Sequence, residues 1–281
     1  MGIGSLFHGP LSRAPVPCPL DMVSRRTFLS KAVMAAAAAA AGTCSKGNGT
    51  RRPGARAASP AGDAVHAPQT AVGPGASGGP AVFVRTGPAT SRGVALTFHG
   101  SGDVGLTGAL LDEAARASAP LTIFAVGSWL AANPQVAGAI LSRGHELANH
   151  TFTHPALGSV DRARLRSEIV RCRDVLARQT GSGGRWFRPS GVERPTAPML
   201  EEAGIAGYAT IVGYDVDPLD YQDPGAAAVA RRVEAGLHGG SIVSLHTGHA
   251  ATVEAFPQIV AAVRARGLEP VLLSDLIAVR R

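Results

Sequence analysis

From residue 94 onward, short apolar runs alternate with stretches in which apolar residues recur every three to four positions. The runs at 94–98, 121–126, 146–149, 186–188, 208–212, 242–245 and 270–273 have the length and flanking turn residues of buried strands. The stretches between them, at 106–118, 128–143, 160–179, 196–203, 224–238 and 252–266, carry helical spacing; Leu165, Ile169, Cys172 and Leu176 fall on one helix face. Seven strands regularly separated by helices predict an α/β fold with a largely parallel sheet, open or closed into a barrel. Such folds collect their chemistry where strands end and loops begin. His99 follows the first strand, His150 and His154 the third, and Asp217 the fifth, while Arg188 ends the fourth and His246 the sixth. That repetition predicts one catalytic rim.

Upstream the pattern changes. Residues 45–79 are Gly, Ala, Pro and Ser with almost no large apolar side chain, a composition that cannot offset chain entropy and predicts a flexible linker. Before it, Ser24-Arg25-Arg26-Thr27-Phe28-Leu29-Ser30-Lys31 and the small-residue run 32–42 resemble a twin-arginine export signal, and the run is too short to span a bilayer. Such signals start close to the arginine pair, so Met22 is the expected true start. Ala41-Gly42-Thr43-Cys44-Ser45 resembles a lipoprotein attachment site, which makes Cys44 a candidate lipid anchor on the outer face of a membrane, against cleavage to a freely secreted form. The expected organisation is a leader at 1–44, a linker at 45–79 and a single domain at 80–281.

Composition refines this picture in two places. The 281 residues are 45% hydrophobic and 17% charged, enough apolar material for a real core. The net charge of +7 resides mostly in 1–79, where eight basic residues face only Asp21 and Asp63; 19 arginines face 18 acids thereafter. The domain therefore lacks the basic footprint of a nucleic-acid binder, and that class is excluded. Of the three cysteines only Cys172 lies in the domain, so no disulfide is available to it, and Cys172 reads as a buried small hydrophobe.

The sharpest local motif is His150-Thr151-Phe152-Thr153-His154. Two imidazoles four apart lie about one helical turn from each other, close enough to share a cation if the loop after the strand curls into a turn. An HxxxH pair by itself is weak; its position after the strand of Gly144-His145-Glu146-Leu147-Ala148-Asn149 strengthens it.

Together with Val94-Ala95-Leu96-Thr97-Phe98, Phe187-Arg188-Pro189, Asp217-Pro218-Leu219-Asp220-Tyr221 and Leu245-His246, this segment resembles the ordered motifs of the polysaccharide deacetylases, carbohydrate esterase family 4. The resemblance covers roughly 80–281 and implies a distorted (β/α)7 barrel. It also implies a divalent metal, most often zinc with cobalt or manganese as alternatives, on two histidines and an aspartate. By resemblance the histidines are His150 and His154. The family's first motif is Thr-Phe-Asp-Asp-Gly, a catalytic base followed by a metal ligand, whereas this chain reads Thr97-Phe98-His99-Gly100-Ser101-Gly102-Asp103. Asp103 is the expected replacement for the metal carboxylate, although an aspartate there also suits a helix N-cap. His99 takes the base position or becomes a third imidazole ligand.

The same resemblance makes His246 the general acid and Asp217 the carboxylate that orients it. Arg188 matches an arginine that steadies the base, here without its aspartate. Ser190 or Gly191 is expected to offer the backbone N–H to the oxyanion, and Tyr221, standing where a Trp is usual, to pack on a sugar. The chain thus reads as an exported, metal-dependent hydrolase acting on N-acetylated amino sugars of peptidoglycan or a chitin-like polymer. O-acetyl esters are a second substrate class. A catalytically silent carbohydrate-binding protein on the same fold is the competing reading, motivated by the missing aspartate pair.

Overall fold

The computed structural model describes residues 79–277, all within the compact unit Gly62–Arg281. Met22, the export signal, Cys44 and nearly all of the linker lie outside the described residues.

The centre of the fold is β2 (Gly93–Gly100), buried along almost its whole length. Its alternating side chains divide two environments. Val94, Leu96 and Phe98 pack into the main hydrophobic core with helix residues such as Leu110, Phe256 and Ile259. Ala95 belongs instead to an inner cluster with Phe124, Ala148, Trp186, Val212 and Ile242. Strand period therefore sends Thr97 and His99 to the inner side too. Each fully buried side chain of the size of Phe98 contributes roughly 1.5–3 kcal/mol of burial energy.

Parallel partners flank β2: β3 (Thr122–Ala125) along its second half, β7 (Glu269–Val271) along its first, and β6 (Ile242–His246) on the other edge. β3 also pairs with β4 (Glu146–Asn149), giving the order β4-β3-β2-β6. A second parallel pair joins β1 (Val82–Val84) to β5 (Thr210–Val212). Isolated bridges connect the two sheets: Asn149 with Phe187, Phe187 with Ile211, and Val216 with Val243. The pairing thus runs from β6 through β2, β3 and β4 to β5, and returns to β6. This is a distorted parallel barrel, irregular where single bridges replace ladders.

Helices α1 (Val104–Arg116), α2 (Gly127–Ala132), α3 (Pro134–Leu141), α4 (Arg162–Thr180), α5 (Ala197–Ile205), α6 (Ala226–Gly236) and α7 (Ala250–Ala265) fall between the strands, and α8 (Leu273–Leu276) closes the described chain. Three differences from the sequence expectation have local causes. The helix expected over 128–143 is two helices, because Pro134 disfavours helical geometry at Asn133, which sits at φ −133°, ψ 66°. The run 186–188 forms bridges rather than a strand. β1, only three residues flanked by Gly and Pro, is too short for periodicity to register and is set by its pairing with β5. Cys172 is buried as expected, on the α4 face with Leu165, Ile169 and Leu176; burial pushes its thiol up to about 12, which leaves it unreactive.

Candidate active site and metal centre

Four imidazoles converge at the carboxyl ends of the strands. The His99 ring lies 4.3 Å from that of His150 and 4.5 Å from that of His246, centroid to centroid. His150 and His154 are 4.8 Å apart, with their Nε2 atoms facing each other at 3.1 Å. The loop between them curls back without forming a helical turn; Thr151 (φ 68°) and His154 (φ 57°) adopt left-handed backbone. A β-branched residue is strained there, so the loop needs an external hold. Glu168, buried on α4, supplies it by accepting the N–H groups of Phe152 (2.8 Å) and Thr153 (2.7 Å) and the Thr153 hydroxyl (2.7 Å). Asn149 Oδ1 accepts the Thr151 N–H at 2.9 Å.

His99, His150 and His154 offer nitrogens that all lie within 4.8 Å of one another. Burial, then neighbouring cationic groups, holds His99 and His150 well below the ordinary imidazole range; burial of its ring lowers His154 as well. All three are therefore neutral near pH 7. His150 Nδ1–H donates to the Arg188 carbonyl at 2.9 Å, which leaves Nε2 with its lone pair toward the cluster. Ligand nitrogens on a tetrahedral zinc at 2.0–2.1 Å sit about 3.3 Å apart, near the His150–His154 separation. The donor set fits a borderline divalent ion, and three neutral imidazoles can hold one.

Opposite this cluster, His246 Nδ1–H donates to Asp220 Oδ1 at 2.7 Å. Asp220 Oδ2 takes the His246 N–H (2.8 Å) and the Thr252 hydroxyl (2.6 Å). Burial alone would raise the Asp220 carboxyl; the hydrogen bonds and the His246 charge outweigh it and keep it lowered. Arg188 fills the layer beneath His99. Its guanidinium stacks on Phe124 at 4.0 Å and donates to the Val212 and Gly213 carbonyls and the Thr97 hydroxyl, while Nη1 finds no partner among the described residues. Burial pulls Arg188 down to about 9, still charged at neutral pH.

Against this geometry the comparisons with known proteins are specific. A family model described as Polysaccharide deacetylase matches residues 86–211. A chitooligosaccharide deacetylase of Sinorhizobium fredii is 32% identical over 171 residues, covering 59% of this chain and 78% of that protein. The chain belongs to the polysaccharide deacetylase family. A peptidoglycan-N-acetylglucosamine deacetylase of Bacillus cereus is 28% identical over 203 residues, covering 69% of this chain and 71% of its own. The crystal structure of the Bc1960 peptidoglycan N-acetylglucosamine deacetylase superposes with a TM-score of 0.66 at 25% identity, over 70% of this chain and 94% of that one. The distorted (β/α)7 barrel is the fold of this deacetylase family.

Within it, the expected residues separate. His99, His150, His154, Arg188 and His246 come together, and Tyr221, 46% exposed, stands edge-on to His246 at 5.3 Å. Asp103 does not join them. Its Oδ1 accepts the Leu106 N–H at 2.9 Å as the N-cap of α1, an exposed position outside the imidazole cluster. Gly100 is no substitute, because a Cβ there would lie 2.7 Å from Ile123 Cγ2 and 3.3 Å from Trp129 Cζ3, on the helix side of β2. His99 is thus the side chain that this strand end presents to the cluster. The carboxylate on His246 is Asp220, not Asp217 as expected; Asp217 Oδ1 instead accepts the Leu219 N–H at 2.8 Å. Ser190 is buried, its hydroxyl bonded to the Pro155 carbonyl at 2.5 Å, and Gly191 (φ 63°) turns against Ala156.

Two residues of this deacetylase site escaped the sequence analysis. Glu168 was visible in principle, as a carboxylate placed on the apolar face of α4 among Leu165, Ile169 and Cys172. Asp220 had no such mark, since it and Asp217 lie three apart in one loop.

Proposed function

We propose that this protein is a metal-dependent hydrolase that removes acetyl groups from N-acetylated amino sugars of a cell-wall or extracellular polysaccharide, peptidoglycan or chitin-like. The observation that carries the reading is the facing pair of devices at one strand-end rim: three neutral imidazoles on one side, and His246 held by a buried, ionised Asp220 on the other. Its relatives from Sinorhizobium fredii and Bacillus cereus, named as chitooligosaccharide and peptidoglycan deacetylases, support the substrate class.

His99, His150 and His154 would hold the ion, for which zinc suits the all-nitrogen set. Once bound there, it supplies a Lewis acid that acidifies a water and polarises the acyl oxygen. The chain's own residues do the rest. Asp220 fixes the His246 tautomer with Nδ1–H donating, so that Nε2 is the nitrogen that carries a proton to the departing amine. Tyr221 offers an exposed ring beside His246 for the face of a sugar. Ser190 and Gly191 border the His150–His154 loop and are the candidates for backbone contacts to the acyl oxygen.

The leader supports export by the twin-arginine route and a lipid anchor at Cys44, which would bring the site to an envelope or extracellular polymer. Among the described residues no carboxylate joins the imidazole cluster, which favours one other reading, a silent carbohydrate-binding protein. Acetate release decides between them. The protein is stripped with a chelator, reloaded with zinc, and assayed on N-acetylglucosamine oligomers and on peptidoglycan. Release that disappears on stripping and returns with zinc is expected. A zinc-loaded protein that binds these glycans without releasing acetate is the silent binder.

A further inference from the structure

Strand β6 reads Ile242-Val243-Ser244-Leu245-His246, and Ser244 is the single hydroxyl of this otherwise apolar run beneath the rim. It is buried, and in register it stands opposite Thr97, two positions below the His99–His246 pair. Strand alternation therefore places Thr97, His99, Ser244 and His246 on the same inner side of the two strands. A hydroxyl taken out of water needs a hydrogen-bond partner. The partner of Ser244 Oγ is His99 Nε2, at 3.2 Å. Thr97, the other hydroxyl of this layer, is committed elsewhere: it donates to the Val243 carbonyl at 2.6 Å and accepts from Arg188 Nη2 at 2.9 Å. The main chain of His99 is fixed from the end of β6 as well, where the Thr247 N–H donates to its carbonyl at 3.1 Å. With the backbone held, the contact with Ser244 sets which ring nitrogen His99 turns to the imidazole cluster.

A neutral imidazole carries its proton on one nitrogen and offers a lone pair on the other. His150 resolves the choice with Nδ1–H on the Arg188 carbonyl and Nε2 toward Nε2 of His154. His99 shows the reverse arrangement. Its Nε2 is the nitrogen engaged by Ser244, so Nδ1 is the one left for the cluster, in which one nitrogen from each of the three rings lies within 4.8 Å of the others. A serine oxygen can accept Nε2–H while its own proton rotates away. The opposite polarity, with Ser244 donating to Nε2, would put the imidazole proton on Nδ1 and block the lone pair that a cation needs. Partners of this kind fix the tautomer of a ligating histidine and raise its basicity.

We propose that Ser244 is a positioning residue of the metal centre. By accepting Nε2–H it presents the Nδ1 lone pair of His99, so that the ion is held by one Nδ1 nitrogen, from His99, and two Nε2 nitrogens, from His150 and His154. The inference rests on the three-imidazole metal centre, and it is read out separately from acetate release.

The experiment compares the full chain with Ser244→Ala and His99→Ala. Zinc affinity is measured in metal-buffered solution. Long-range proton–nitrogen NMR spectra of the zinc-loaded protein, isotope-labelled in its histidines, identify the ligating nitrogen of each ring, and the His99→Ala spectrum assigns the His99 signals. The expected spectrum of the parent has zinc on Nδ1 of His99 with the proton on Nε2, and zinc on Nε2 of His150 and His154. Zinc affinity should fall about 10–100-fold in Ser244→Ala, with an unchanged circular dichroism spectrum. Zinc on Nε2 of His99 overturns the assignment whatever the variant does, and so does a Ser244→Ala affinity within about threefold of the parent. A His99→Ala protein that binds zinc as tightly as the parent removes His99 from the metal centre, and the role of Ser244 falls with it. A parent that shows the expected nitrogens but releases no acetate upholds Ser244 while overturning the deacetylase reading.

Discussion

Three donors converge on the Asp220 carboxylate, which has no exposure to solvent: the His246 ring, the His246 amide and the Thr252 hydroxyl. An asparagine of the same shape cannot reproduce this arrangement. Turned either way, its N–H₂ would face a donor that cannot reverse, the His246 Nδ1–H or the His246 backbone N–H, and the imidazole would turn or change tautomer. Asp220→Asn is therefore expected to lower kcat by two to four orders of magnitude, while metal content, for which His99, His150 and His154 are the proposed ligands, should stay that of the parent. Steady-state kinetics beside metal analysis check both halves; an unchanged kcat would remove Asp220 from the mechanism. At this scale the sequence was least informative. Asp217 and Asp220 share a loop, and the choice between them is made by left-handed backbone at Leu219 (φ 55°) and Asp223 (φ 50°), which neither residue type announces.

Among the helices, α4 does more than cover the sheet. Its apolar stripe of Leu165, Ile169, Cys172 and Leu176 buries it against the barrel, and the same face delivers Glu168 beneath the strained His150–His154 loop. Both carboxylate oxygens are occupied, one by two backbone amides, the other by the Thr153 hydroxyl and by Arg164 at 2.7 Å. Glu168→Gln would set an amide N–H₂ against donors already pointing inward. Outer partners of ligand-bearing loops typically carry 10–100-fold in metal affinity, so Glu168→Gln should weaken zinc binding by about that factor with the helix intact. Competition against a chromophoric chelator measures the loss, and circular dichroism verifies the helix. Equal affinity in the variant would reduce Glu168 to a packing residue. The helix itself was legible from its periodicity; that its one buried carboxylate serves the loop was not, because periodicity reports which face is covered and not what lies opposite.

For the molecule as a whole, buried neutral histidines make stability depend on pH. His145, at the start of β4, accepts the Leu121 N–H on Nδ1 at 3.2 Å and buries an unpaired Nε2, and burial lowers it to about 4. Its folded value lies below the ordinary 6.5, so the unfolded chain takes up the proton first. The stabilisation is complete above about pH 6.5 and is lost as pH falls from there through about 4, a total of roughly 3 kcal/mol at 1.36 kcal/mol per unit. His99, His150 and His154 act in the same sense in the metal-free protein. Thermal melts of the stripped protein should show Tm falling across this window, and His145→Gln should flatten the slope. A slope unaltered in the variant would mean that His145 is not the group responsible. What the sequence determined by itself was the order of strands and helices, and with it the ring of strand ends that carries His99, His150, His154, Arg188 and His246, because hydrophobic period is a local property and strand alternation fixes which residues face inward. Only the tertiary structure decided that Asp103 stays with its helix, that Asp220 rather than Asp217 reaches His246, and that β1 completes the barrel wall beside β5. Asp103 finds the Leu106 N–H three residues on, and what the tertiary structure decided there is that the imidazole cluster lies elsewhere. Asp220 meets His246 across 26 residues and β1 meets β5 across more than a hundred, so no local window contains both partners.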